Sequence, residues 1–424
     1  MDFLEELKWR GMLHDATPGV EEVLDNGSIT GYIGFDPTAP SLTIGNYVQI
    51  MLLTLFQRAG HQPIALVGGA TGRIGDPSFK DKERPLKSHE ELEQNLAKVK
   101  EQLEKYVGTP DGEHEVIMVN NHDFYRNMNV LDFLRDVGKT LTVNYMMSKD
   151  SVKNRLETGL SFTEFSYQIL QGYDFQCLFE QNNCLLQMGG SDQWGNITSG
   201  TEFVRRNLGG KAYAITTPLL TKADGTKFGK SEAGNIWLDP EMTSPYEFYQ
   251  FWINAADADI PKFIRYFTLK SKEEVEAMEA EHANNPRELK RLLAEELTIR
   301  LHGEEQYEAV KKVSNLLFNT RAKQDDLHAL DAKSLATVAQ EIPSFQVEAA
   351  LLQQGVNIVD LLAEHTEIVS SKGDARRAIK GQAVSVNKEK ITDHETVVGM
   401  DALLHDKYVM VENGKKNKYM IVTV

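Results

Sequence analysis

Tyr32-Ile33-Gly34-Phe35-Asp36-Pro37-Thr38-Ala39-Pro40-Ser41-Leu42-Thr43-Ile44-Gly45-Asn46 reads as a strand that breaks into a loop and restarts as a helix. Ile29–Phe35 is a short apolar run, Asp36-Pro37 ends it, and a helical apolar pattern covers 46–59. The same alternation continues downstream. Pro63–Val67, Val116–Val119 and Leu185–Met188 read as buried strands, with helical stretches at 88–106 and 192–208. Strands alternating with helices predict an α/β fold, a doubly wound parallel sheet with helices on both faces. Ligands of such sheets collect beyond the carboxyl ends of the strands, so the residues that follow each strand carry the functional information.

Outward from this core the pattern changes. From Ser244 to Phe318 the strand signals vanish, and Glu273–Ala283 and Glu288–His302 are amphipathic and helix-forming. A polar, weakly patterned stretch follows, and a small α+β unit starts after Gly355. The expected division is a catalytic domain over 1–225, a lysine-rich loop with a helical domain over 226–325, a linker over 326–354 and a C-terminal domain over 355–424.

With 424 residues, 41% hydrophobic and 25% charged, the composition is that of a globular protein. No apolar run is long enough to span a bilayer, and the N-terminus Met1-Asp2-Phe3-Leu4-Glu5-Glu6 is acidic where a secretory signal is basic, so a cytoplasmic protein without a membrane partner is expected. Cys177 and Cys184 sit in apolar stretches and read as reduced, buried thiols rather than a disulfide or metal pair. No His/Cys cluster has zinc spacing. The net charge of −16 argues against indiscriminate polyanion binding, yet residues 370–424 carry ten Lys/Arg against seven Asp/Glu, which leaves room for a local RNA site.

Five stretches could carry chemistry, each with an ordinary alternative. Gly45 at a helix start lets phosphate approach free N–H groups, with Thr38, Thr43 and Asn46 as neutral donors; capping residues alone also explain it. Lys222-Ala223-Asp224-Gly225-Thr226-Lys227-Phe228-Gly229-Lys230-Ser231 is a cationic loop suited to a polyphosphate, or simply a solvated basic loop. Its glycine spacing and its context fail the P-loop pattern, which excludes a GTPase or kinase reading. Gly189-Gly190-Ser191-Asp192-Gln193 after a buried strand offers Asp192 to two ribose hydroxyls, or only a turn with a cap. Tyr167, Gln171 and Asp174 fall on one helix face, more like the wall of a polar pocket than a solvated surface. Val67-Gly68-Gly69-Ala70-Thr71-Gly72-Arg73-Ile74-Gly75-Asp76-Pro77 is a glycine-rich strand exit that matches no dinucleotide fingerprint, with Lys80 and Arg84 beyond it.

In this order, these stretches resemble the bacterial tyrosyl-tRNA synthetases, class I enzymes with a Rossmann-like catalytic domain. Lys227-Phe228-Gly229-Lys230-Ser231 is similar to the class I lysine signature KMSKS, Gly189–Asn196 to the family's ribose loop and Ser161–Asp174 to its substrate helix. One departure stands out: the HIGH signature is Thr43-Ile44-Gly45-Asn46, without either histidine. The tail Ser371-Lys372-Gly373-Asp374-Ala375-Arg376-Arg377 resembles an S4 RNA-binding domain.

The resemblance implies activation of L-tyrosine by ATP, with magnesium carried on the phosphates, and transfer to tRNA(Tyr) by a homodimer. It implies that Tyr32 and Asp174 hold the phenol, that Asp76, Tyr167 and Gln171 meet the ammonium group, and that Asn121 belongs to the same subsite. Gly34, Asp36, Gly45, Asn46, Gly190, Asp192 and Ser231 are implied around ATP, and Gln193 near the acyl phosphate. Lys227 and Lys230 are implied on the leaving pyrophosphate opposite Thr38 and Thr43, with Lys80, Arg84 and Lys222 as lesser candidates. Lys372, Arg376 and Arg377 are implied on RNA. A tryptophanyl enzyme is the nearest rival, disfavoured by Tyr32 with Asp174 and by the S4-like tail; a non-catalytic RNA-binding paralogue is the other.

Overall fold

A computed structural model describes residues 2–78, 85–108, 114–149, 152, 153, 155, 159–231, 234–319, 321–414 and 417–424, with only the backbone of Ser231. The chain forms two compact units, one of Met1–Thr243 with Trp252–Leu293 and the other of Ser244–Phe251 with Ala294–Val424.

The first unit is built on β1 (Asp15–Ala16), β2 (Thr30–Phe35), β3 (Gln62–Val67), β4 (Ile117–Asn120), β5 (Cys184–Gly190) and β6 (Tyr213–Thr217). Their order across the sheet is β1-β6-β5-β2-β3-β4. All neighbours are parallel except β1, which runs antiparallel to β6. From β2 the chain first winds towards β4, then returns to the other side through β5 and β6. The switch point therefore lies between the carboxyl ends of β2 and β5, where a crevice opens. Four of the expected strands are present to within a few residues. β6 was not expected: Tyr213-Ala214-Ile215-Thr216-Thr217 is wholly buried although its threonines weaken the apolar signal.

Helices close both faces. Ile44–Arg58 is buried almost all round, with Ile44, Ile50, Leu52, Leu53 and Phe56 at or near zero exposure, as a central helix between sheet and neighbours must be. Phe162–Asn182 begins at Ser161, whose side chain accepts from Glu164 N, and crosses Trp194–Phe203 at close range. The approach depends on Gly172: a Cβ there would lie 2.5 Å from the Phe203 ring. Cys177 and Cys184 are free and buried, and burial pushes the Cys177 thiol up to about 12. Among the described residues no helix is long and apolar enough to cross a membrane.

In the second unit, β9 (Ser344–Val347), β11 (Val384–Val386), β12 (Glu389–Lys390), β14 (Tyr408–Asn413) and β15 (Asn417–Thr423) form a sheet of order β12-β11-β14-β15-β9. A short ladder joins β10 (Val356–Asn357) to β13 (Val397–Val398). The alternation along β14 and β15 splits two cores. Val409, Val411 and Ile421 pack with Leu361, Leu362, Ala375 and Ile379. Tyr408, Met410 and Met420 pack with Val310, Leu327, Leu335 and Val338. The stretch 326–354 is accordingly not a bare linker. It holds helix Ala332–Glu341 and strand β9, which pairs in parallel with β15. Its polar residues had masked a single apolar stripe, Leu335 and Val338, enough to bury one helix face.

Gly172→Ala weighs two effects of known size. Alanine gains about 1 kcal/mol of helix propensity, whereas forcing a methyl into a filled core costs about 1–3 kcal/mol. Because Phe203 is fully buried and has no room to yield, the substitution is expected to lower the urea midpoint. An unchanged or higher midpoint would show that the two helices can separate freely.

Candidate active site

The crevice at the switch point encloses a cavity of about 320 Å³. Tyr32, Gly34 and Asp36 reach it from β2 and Gln187, Gly189 and Gly190 from β5; Tyr167, Gln171 and Asp174 enter from the Phe162 helix and Gly45 and Asn46 from the Ile44 helix. Thr38, Asp76, Asp192 and Gln193 complete the set of expected residues that line it. The i, i+4, i+7 stripe of the Phe162 helix is thus a pocket wall.

At the closed end, Asp174 is 2% exposed. Its carboxylate accepts from Asn121 Nδ2 at 2.9 Å and from the Tyr125 hydroxyl at 2.7 Å. Burial raises its pKa to about 7, against the downward pull of those two bonds. Asn121 does not line the cavity but stands behind it, joining Asp174 to Thr71 Oγ1 at 3.0 Å and accepting the Ala70 N–H at 2.7 Å. Thr71 donates to Asp36 Oδ1 at 2.6 Å, and the Tyr167 hydroxyl donates to Asp36 Oδ2 at 2.8 Å. Asp36, expected on the nucleotide side, is therefore the acceptor that fixes Tyr167. The β3 exit makes this possible. A Cβ on Gly68 would fall 2.0 Å from Asp36 Oδ1, so only glycine lets the carboxylate lie against the backbone.

Asp76 is held by a second group: Gln193 Nε2 donates to Oδ2 at 2.6 Å, and Ser78 N–H to Oδ1 at 3.0 Å. Asn196 Nδ2 reaches Asp76 Oδ1 at 3.3 Å. Against these ordered carboxylates stand buried oxygens without a partner among the described residues: the Tyr32 hydroxyl and Oε1 of Gln49, Gln171 and Gln187. Burial, then the Asp174 charge, drives the Tyr32 pKa well up, so its hydroxyl stays protonated. An unsatisfied buried polar atom costs about 1–3 kcal/mol, and four such atoms at one cavity mark a site built for a polar ligand.

At the open end, Thr43 and Asn46 engage each other. Asn46 Oδ1 accepts from Thr43 N at 3.0 Å and from Thr43 Oγ1 at 2.8 Å, while Asn46 N donates back to Thr43 Oγ1 at 3.4 Å. This is a capping box for the Ile44 helix, and Thr43 does not line the cavity. The lysine loop folds as two hairpins. Thr221 bridges to Lys227, and β7 (Lys230–Ser231) pairs with β8 (Gly234–Asn235). Gly229 packs beside the Gly45 N–H, bringing the two signatures together. Lys227 and Lys230 are exposed beside the cavity rather than lining it, and Lys222 Nζ donates to the Lys230 carbonyl at 3.0 Å. Lys80, Arg84 and the Ser231 side chain lie outside the described residues. On the helix Lys372–Lys380, Lys372 pairs with Asp360 and Glu364, both at 2.8 Å, and Arg377 pairs with Asp374.

Sequence reasoning missed Gln187, Thr71, Tyr125 and Gln49. Gln187 left the clearest trace, a lone amide inside the apolar strand Leu185-Leu186-Gln187-Met188. Thr71 and Tyr125 left none, since each acts by bonding a carboxylate remote in sequence.

Comparison with known proteins agrees with this geometry. Residues 24–319 match the family of class I tRNA synthetases for W and Y, and residues 334–422 match a tyrosine–tRNA ligase SYY-like C-terminal domain. A tyrosine–tRNA ligase of Cytophaga hutchinsonii is 55% identical over 99% of both chains, and one of Porphyromonas gingivalis is 51% identical over 100% of both. A C-terminally truncated mitochondrial tyrosyl-tRNA synthetase of Aspergillus nidulans superposes with a TM-score of 0.66 at 31% identity, covering 75% of this chain and 94% of that one. The full-length relatives decide between the two amino acids that the first family leaves open, and the chain belongs to the tyrosine–tRNA ligases, class I aminoacyl-tRNA synthetases.

Proposed function

We propose that the cavity activates L-tyrosine with ATP by positioning alone, with the closed end for the phenol and the open end for the phosphates. The tyrosine carboxylate attacks the α-phosphorus, its new C–O–P linkage forms as the bond to pyrophosphate breaks, and no general base is required because the carboxylate is already ionised. A ribose hydroxyl of the tRNA 3′-terminal adenosine then displaces AMP from the acyl carbon. The observation that carries this reading is the ordered Asp174 carboxylate in one buried polar pocket with the Tyr32 hydroxyl, which has no partner among the described residues.

In this reading Tyr32 and Asp174 bind the phenol, while Asp76, Tyr167 and Gln171 meet the ammonium. Asp192 and Gly190 take the ribose. Thr38, Gly45 and Asn46 flank the phosphates, and Lys227 and Lys230 close on the pyrophosphate as charge builds there. Thr43 acts through Asn46. Magnesium arrives with ATP as part of the substrate. The reaction is cytoplasmic.

The decisive experiment is tyrosine-dependent exchange of pyrophosphate into ATP; no exchange with tyrosine would end the proposal. Asp174→Asn sharpens it. Tyrosyl enzymes are themselves the reference case of hydroxyl discrimination, at about 10⁵ against phenylalanine, a family figure not obtained from this chain. The substitution is expected to erode that preference. With a folded pKa near 7 against the ordinary 3.8, Asp174 keeps its proton in the folded chain where the unfolded chain has lost it. Its contribution to stability therefore falls as pH rises from about 4 to 7. Tyrosine affinity should move the opposite way, tightening from pH 6 to 8 as the acceptor ionises, and this dependence should vanish in Asp174→Asn. A flat affinity profile in the unsubstituted protein would remove Asp174 from the phenol subsite.

For tRNA, the exposed Arg376 and Arg377 support an S4-like RNA surface, with Lys372 orienting the helix through its acidic partners. Replacing both arginines by glutamate should depress tRNA charging while leaving pyrophosphate exchange intact. Equal charging would move the RNA contact elsewhere.

For a homodimer, the support is the run of exposed apolar side chains Val130, Leu131, Leu134, Val143 and Phe162. The same segment buries Val137, Leu141 and Met146 inward. Leu131→Asp is expected to shift sedimentation to the monomer; a dimer that persists would show that this face is not the interface.

A further inference from the structure

The lysine loop is seated on one short helix, Ile260–Phe267, and that helix is fixed at both ends. At its C-terminal end the buried Arg10 guanidinium donates to the carbonyls of Arg265, Thr268 and Lys270 at 2.5, 2.9 and 2.9 Å. Along its flank, Phe263 and Phe267 pack on Phe228 of the loop with ring centroids 4.9 and 5.2 Å apart, beside Trp252 at 5.9 Å. Phe228 is buried, while its neighbours Lys227 and Lys230 are exposed. At the N-terminal end, Lys262 Nζ donates to the Thr221 carbonyl at 3.1 Å.

Asp259 precedes the helix in the capping position. Its backbone is already helical and Pro261 in the first turn has no N–H to offer, so Asp259 makes no bond to its own helix. Instead its Oδ1 accepts the Ala223 N–H at 2.7 Å, across 36 residues of sequence. The side chain is only 2% exposed. A buried carboxylate requires a donor, and the Ala223 amide supplies one. Ala223 sits in the tight turn of the first hairpin, where Gly225 N donates to the Lys222 carbonyl and Lys222 N to the Thr226 carbonyl, both at 2.9 Å. To hold Ala223 is to hold the hairpin from which Lys227 emerges.

We propose that Asp259 is a positioning residue for tyrosine activation, setting the base of the lysine loop so that Lys227 and Lys230 reach the leaving pyrophosphate. The inference rests on the role given to those lysines above. It does not place Asp259 in contact with substrate. Misplacement of a charge-stabilising group by about 1 Å can cost on the order of 10²-fold in rate.

The test is single-turnover formation of tyrosyl-adenylate by the full chain, with tyrosine affinity measured separately, for Asp259→Ala, Asp259→Asn and Lys230→Ala. Asp259→Ala should slow activation by about tenfold to a hundredfold with tyrosine affinity unchanged, and Asp259→Asn, which keeps an oxygen acceptor, should recover most of that rate. In a Lys230→Ala background the alanine substitution should add little, because both act on one step. If Lys230→Ala is slow while Asp259→Ala keeps the full rate, the positioning role is wrong and the lysine reading stands. If Lys230→Ala is itself as fast as the unsubstituted protein, the lysine reading fails. If Asp259→Ala weakens tyrosine binding and thermal stability along with the rate, or does not fold while Asp259→Asn is as slow as Lys230→Ala, Asp259 is not a loop-positioning acceptor and the proposal is overturned.

Discussion

Two carboxylates, the buried Asp174 and the half-buried Asp36, are tied to one another through Thr71 and Asn121. Burying such groups is costly unless each is hydrogen-bonded, and much of the first unit serves that requirement. Gly68 yields its side chain so that Asp36 can lie on the backbone, Tyr125 and Asn121 hold Asp174, and Tyr167 closes on Asp36. The chain of bonds joins the exits of β2, β3 and β4 to the Phe162 helix. What the protein gains is a rigid row of acceptors at the closed end of a cavity, aimed before any ligand arrives.

Rigidity at that end contrasts with exposure at the other. Asp76, Asp36 and Asp174 are each oriented by neighbouring side chains, whereas Lys227 and Lys230 are exposed on a loop anchored by the buried Phe228 and by its base. The division fits the chemistry of adenylate formation. In the proposed reading the amino acid meets the ordered carboxylates, a subsite that is prebuilt. In the proposed reaction the cations act as charge appears on the leaving group, and they are carried on a separate element from the ordered carboxylates.

Much of this could be read from sequence, for a physical reason. The sheet was legible because parallel strands buried on both faces are continuous apolar runs, and the site was legible because its residues follow those strands. β6 escaped because Thr216 and Thr217 dilute its apolarity, and the fold of 326–354 escaped because a half-buried helix needs only Leu335 and Val338. Within the site, most residues named from sequence line the cavity, while several that orient them were not named. Tyr125, Thr71 and Asp259 act through bonds spanning 49, 35 and 36 residues, and no local pattern records a partner so distant.

The missing histidines of the HIGH signature take on a different meaning in the folded chain. Thr43 and Asn46 are not two weakened copies of one donor. Thr43 presents its N–H and its hydroxyl to the single oxygen Asn46 Oδ1, so the Asn46 amide has one orientation, and Asn46 lines the cavity. An imidazole chooses between tautomers and protonation states near neutral pH; an amide locked through its oxygen has neither choice to make. The helix N-terminus adds its dipole at the same place, where Gly45 lines the cavity without a side chain. A neutral amide thus stands where the HIGH signature has a titratable histidine, and in the proposed reading the positive charge for the phosphates is left to the lysine loop that abuts it at Gly229.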